Sequence, residues 1–216
     1  MPAGNRRKLV SVVTRKPPTE LEIFSGDPAL DLANTLEGPH GGAPTTDSLT
    51  SYGDLAEWAA HAGVVDAPLA ARLARAAGES PDRGAAVHAR AVALRGALYD
   101  AFATLVAGGE PAPAALAVLA REHGEAAAHA RLEPAGARFE LAWEGEPPDR
   151  VLWPVAQAAV DLLRTGPLDR LKACVECRGL FLDASRNHSR RWCSMNDCGG
   201  RDKVRRYRAR RATGGR

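Results

Sequence analysis

The sequence has no apolar run approaching the ~20 residues that would cross a bilayer as a helix. The basic residues Arg6, Arg7 and Lys8 are not followed by an apolar stretch of signal-peptide type. No membrane partner is expected, and a cytoplasmic, nucleoid-associated location is. Internal repeats are missing, as are low-complexity tracts beyond an alanine bias. The phosphate-cradling G-x-x-x-x-G-K-[ST], the nucleophile-elbow G-x-S-x-G and the zinc-protease H-E-x-x-H strings are all absent. His40 and His61 stand at no metal-ligand spacing to other ligands. The expectation is a protein that is not an enzyme. Cysteine is missing from the first 173 residues.

All four cysteines lie near the C-terminus: Cys174, Cys177, Cys193 and Cys198, in the pattern C-x2-C-x15-C-x4-C. Two closely spaced pairs separated in this way can meet as the corners of a tetrahedral zinc site. In a reducing compartment clustered thiols favour metal over disulfides. Four thiolates leave no open coordination position, so the site is read as one structural Zn2+ and not a catalytic one. The formal net charge of +3 conceals an asymmetry. Residues 174–216 carry 12 Lys and Arg against 4 Asp and Glu, a net of +8, while residues 1–173 carry a net of −5. The basic charge sits with the cysteines and points to an acidic partner.

The rest of the chain predicts a largely helical body. Residues 1–18 read as a flexible leader, and Thr19–Phe24 alternate as a short strand. Asp27-Pro28 predicts a capped helix start over residues 28–36. Asp31, Asn34 and Thr35 then share one face, either lining a pocket for a small-molecule effector or bonding nearby backbone. Helical patterns follow around Leu55 and Trp58, over residues 67–77, from Val87 to Leu105, after Pro113 and over residues 151–164. Residues 128–144 read as a hairpin around a Pro-Ala-Gly turn. Trp58, Trp143 and Trp153 are assigned to the core. The expected fold is α+β: a mainly helical domain with a small hairpin over 19–168, then a zinc-stabilised hairpin and helix over 169–212.

Within that module, Cys174 and Cys177 form a knuckle that Gly179 lets fold back. A strand over Leu180–Leu182 is expected to be answered by Arg190–Trp192, with Phe181 and Trp192 as a minimal core. Ser194 caps a helix carrying Cys198. On that helix Arg201, Arg205 and Arg208 form one stripe and Lys203, Arg206 and Arg210 another, with Val204 and Tyr207 between them against the module. Arg186, Arg190 and Arg191 extend the basic surface. Such a surface suits double-stranded DNA, held through its phosphates and read in a groove. The alternatives are an RNA-binding module, with Phe181 or Trp192 stacked on bases, and an adaptor docking on an acidic protein. A homodimer would double the contact.

The run Cys174-x-x-Cys177, Phe181-Leu-Asp, Arg191-Trp192-Cys193-Ser194-Met195-x-x-Cys198-Gly199-x-Arg201-x-Lys203 resembles the CGNR zinc finger, named for a Cys-Gly-Asn-Arg string. Here the string is Cys198-Gly199-Gly200-Arg201, with glycine in place of asparagine. Phe24-x-Gly26-x-x-x-Leu30-Asp31-Leu32-x-Asn34-Thr35 is similar to the opening of the ABATE domain that usually precedes this finger. Together the two resemblances span about residues 20–211. They imply a bacterial transcription regulator in which the finger grips DNA and the helical domain senses a ligand or mediates dimerisation.

Overall fold

The computed structural model describes residues 13–213. Helices dominate, and the first three begin where the sequence supplies a cap. At α1 (Pro28–Ala33) the Ala29 N–H donates to the Asp27 carboxylate at 2.8 Å, with proline in the first turn. Ser51 receives the Asp54 N–H at the start of α2 (Tyr52–His61), and Asp66 receives the Leu69 N–H at the start of α3 (Ala67–Glu79). The long α4 (Pro81–Val106) buries Val87, Ala91, Leu94, Leu98, Ala101 and Phe102, the steps of three and four that define one helix face. It lies at the centre, against α1, α2, α3 and α5 (Pro113–Ala128). The remaining large helix, α6 (Trp153–Thr165), packs on α1 and α5. Each fully buried leucine along this seam contributes about 1.5–3 kcal/mol relative to exposure.

The strands are short. β1 (Thr14–Arg15) runs parallel to β3 (Thr46–Asp47), which pairs antiparallel with β2 (Leu36–Glu37). The expected leader lies outside the described residues up to position 12. From there on it is built into the body: Arg15 pairs with Asp54 at 2.6 Å, Lys16 with Glu37 at 3.0 Å, and Pro18 is buried. Thr19–Phe24 form no strand, because a 3-10 turn over Pro18–Glu20 takes up the start of the segment. The hairpin β4 (Ala130–Ala135) and β5 (Arg138–Trp143) forms as expected around Gly136, whose φ of +64° favours glycine. The three tryptophans do not share a pocket. Trp58 is in the main core, while Trp153 packs with Ala126, Ala156 and Trp143 in a satellite cluster.

The last sheet corrects the expected module. β7 (Leu180–Leu182) pairs with β6 (Leu171–Ala173), not with residues 190–192. The hairpin therefore encloses the Cys174–Gly179 knuckle. Both strands lean on α4, so the module is set into the helical body. Strand alternation divides β7 between two interiors. Leu180 is fully buried in the main core, and the neighbouring Phe181 is fully buried in a second cluster with Cys174, Cys193 and Cys198. α7 (Cys198–Thr213) closes the described chain. Among the described residues no helix is long and apolar enough to cross a membrane.

Candidate metal centre and nucleic-acid interface

The four cysteine Sγ atoms lie within 4.8 Å of one another. A tetrahedron of thiolates at ~2.3 Å from zinc has edges of about 3.8 Å. The Cys177–Cys193 and Cys193–Cys198 separations, 3.6 and 3.5 Å, are close to that edge. The chemistry of the donor set points the same way. Hydrogen bonds from Cys177 and Cys193 pull Cys174 toward thiolate, while the contact with Cys174 pushes Cys177 up to about 12. Four sulfurs so close cannot all ionise without a cation, and a divalent ion with soft-ligand affinity removes that conflict. Gly179 makes the knuckle possible. Its N–H donates to Cys177 Sγ at 3.3 Å, and a Cβ at this position would sit 3.0 Å from the Phe24 ring and 3.3 Å from Cys177 Sγ.

Asp31, Asn34 and Thr35 are brought near one another but do different things. Asn34 ties the helical body to the finger: Leu180 N–H donates to its Oδ1 at 2.8 Å, and its Nδ2 donates to the Leu180 carbonyl at 2.9 Å. The side-chain amide thus stands in for a neighbouring strand. Thr35 is buried, donates to the Leu32 carbonyl and receives Arg95 at 3.4 Å. Asp31 is buried and receives the Ser25 N–H at 3.2 Å; burial raises it above the usual carboxylate range. Only Asn34 of the three reaches a cleft of about 720 Å3 between body and finger, whose walls include Phe24, Glu37, Cys177, Arg178 and Arg201.

Two residues of this joint were not anticipated. Phe24 packs on the cysteine cluster from the helical side. Arg178 donates its N–H to the Gly38 carbonyl and stacks its guanidinium 3.8 Å from the Tyr99 ring on α4. The backbone adds a Pro39–Cys177 bridge and a bond from His40 N–H to the Glu176 carbonyl. These long-range contacts have no local sequence signal.

The cationic residues divide into two groups. Arg190 turns inward, over the Phe181 ring and onto the carbonyls of Trp192 (3.0 Å) and Cys193. Arg201 donates to Asp197 at 2.9 Å and to Cys198 Sγ at 3.0 Å. Arg205 is held by Glu176 and Asp202, each at 2.6 Å, and Arg206 by Asp202 at 2.5 Å. By contrast, Arg186, Lys203 and Arg208 are exposed and form no ion pair among the described residues. Arg191 is exposed beside Trp192, with its guanidinium 5.2 Å from the ring. The i, i+3 and i, i+4 spacings of Asp197 and Asp202 to these arginines were visible in the sequence; the Glu176–Arg205 pair, across 29 positions, was not.

The expected apolar seam differs as well. Val204 and Tyr207 are 49% and 60% exposed and do not pack on the finger. Every residue from Lys203 to Arg211 is exposed, so beyond Asp202 α7 stands largely in solvent, tied back to the finger through Arg205 and Glu176. Phe181, by contrast, is fully buried, which removes it as a platform for a base.

A family model described as ABATE, "Putative stress-induced transcription regulator", matches residues 26–166, and the CGNR zinc finger model matches residues 170–211. No curated protein matches the chain. With four thiolate donors converging in a finger of this type, Cys174, Cys177, Cys193 and Cys198 hold a single zinc ion. The chain belongs to the ABATE family and ends in a CGNR zinc finger.

Proposed function

We propose that the chain is a zinc-dependent, DNA-binding transcription regulator that has no catalytic step of its own. The observation that carries this reading is α7 beyond Asp202, a helix exposed on all sides and rich in arginine. A helix without an apolar stripe draws little stability from its own chain, and a cationic one is completed by a polyanion. Zinc fixes the start of the helix, since Cys198 is both its first residue and a ligand. Arg186, Arg191, Lys203 and Arg208 would contact phosphates, while Arg190, Arg201, Arg205 and Arg206 brace the module that presents them. Bases would be read by α7 in the major groove of double-stranded DNA. The burial of Phe181 removes one of the two rings that could stack on the bases of single-stranded RNA, while Trp192 is half-buried. The cleft beside Asn34 is the place where a small effector would reach both the helical body and the finger.

Genome-wide nucleic-acid crosslinking with the intact protein and with Cys174→Ser tests the proposal. Discrete DNA peaks that vanish in the variant are expected. Crosslinks to RNA alone would overturn it in favour of an RNA-binding module. No nucleic-acid crosslinks at all would leave the adaptor reading, in which α7 docks on an acidic protein.

A further inference from the structure

We propose that the β4–β5 hairpin is a homodimer interface, in which β5 pairs antiparallel with β5 of a second copy about a twofold axis through Phe139. The hairpin is a two-stranded sheet joined to no other strand among the described residues. Its base is held, where Trp143 packs with Ala126, Trp153 and Ala156. An isolated two-stranded hairpin is marginal in water, and this one exposes apolar side chains on one face. Leu132 and Phe139 are 68% and 67% exposed and Leu141 is 42% exposed. Leu132 stands opposite Leu141 and Pro134 opposite Phe139, so the four form one patch.

The charge pattern selects the occupant and the edge. On β4, Pro134 removes a ladder donor, and Arg131 is already bound to Glu133 and Glu144. On β5 there is no proline, and Arg138 and Glu140 are exposed with no ion partner among the described residues. These two charges flank Phe139 symmetrically. A twofold axis at Phe139 sets Arg138 against the partner's Glu140, and Glu140 against the partner's Arg138. It also sets the two Phe139 rings against each other and places all the apolar residues on the same face of a four-stranded sheet. A sequence complementary to its own reverse in this way fits a second copy of itself. The inference deepens the regulator reading by naming the partner, but no nucleic acid enters it, so either can fail without the other.

Sedimentation velocity of the zinc-loaded full chain up to about 100 µM, well above a micromolar dissociation constant, is the test. The wild type is expected to form dimers. Arg138→Glu and Glu140→Arg each place like charges across the axis and should weaken dimerisation by about tenfold or more. Mixed in equal amounts, the two variants regain opposite charges and should form a heterodimer, which also shows that both are folded. A wild type that stays monomeric throughout the range would overturn the proposal. So would single variants that dimerise as well as the wild type, or a mixture that stays monomeric.

Discussion

Replacing Lys203 and Arg208 together with alanine should halve the salt sensitivity of DNA binding. Each Lys or Arg seated on a duplex phosphate contributes about −0.9 to the slope of log K against log salt, through release of condensed counterions. Of the eight basic residues assigned to the nucleic-acid surface, Arg190, Arg201, Arg205 and Arg206 are engaged by carbonyls, Asp197, Glu176 and Asp202. The four that remain, Arg186, Arg191, Lys203 and Arg208, give a slope of about −3.6, and the double variant about −1.8. Between about 50 and 200 mM salt the wild type then loses about 150-fold in affinity, and the variant about 12-fold. Fluorescence anisotropy of a labelled duplex across that range measures both. An unchanged slope in the double variant would refute the assignment of these side chains to phosphate. A wild-type slope near −7 would refute the division of the cations, because it needs about eight phosphate contacts, twice the four assigned.

Further predictions concern the joint and the finger. Asn34→Ala leaves the buried Leu180 N–H and carbonyl without partners, which should cost about 2–5 kcal/mol by urea denaturation of the zinc-loaded protein, against a null result if the clamp is dispensable. Gly179→Ala should lower zinc retention against a chelator, because the new methyl meets Phe24 and Cys177. Gly200→Ala meets only the Met195 carbonyl at 3.8 Å and should stabilise α7 by up to ~1 kcal/mol. Burial alone would raise Asp54, but bonds from Arg15 at 2.6 Å and from Thr50 outweigh it and hold the carboxyl at about 2. Its folded value lies below the unfolded ~3.9, so its stabilisation is complete above that pH and is lost as pH falls toward 2. Urea midpoints should therefore fall with acid across this window, less steeply in Asp54→Asn. Asp27 and Asp31, raised by burial, act with the opposite sign and above this window, adding stability as pH falls toward ~3.9.

What could be read from the residues alone was local or chemical. The cysteine spacing identified the metal ligands, because four soft donors in two pairs have few other uses. Helix starts at Asp27, Ser51 and Asp66 were written in short polar residues ahead of apolar periodicity, and α4 in its steps of three and four. The failures were all of pairing at a distance. A two-residue strand at Thr14–Arg15 has no periodicity to detect, and its partner lies more than thirty positions away. The return strand was assigned to residues 190–192 because they follow a turn, whereas Leu171–Ala173 already lay alongside Leu180–Leu182. Asn34 was singled out as a pocket or backbone-bonding residue, yet its partner Leu180 is 146 positions distant, so no local rule could separate clamp from pocket. The arginines looked alike in sequence; carboxylates contributed by the fold made them different.

β7 has one further consequence. Its alternate side chains belong to two interiors, Leu180 to the helical core and Phe181 to the cluster around the metal. Together with the Asn34 clamp and the Arg178–Tyr99 stack, these three residues of backbone couple the cluster around the metal to the helical core. A ligand that binds the helical body and shifts zinc affinity by some factor must find its own affinity shifted by that same factor when zinc is bound. If the proposed effector binds the helical body, the finger would be a load on the chain's folding equilibrium, and zinc availability and effector concentration would be exchangeable inputs to one state of the chain.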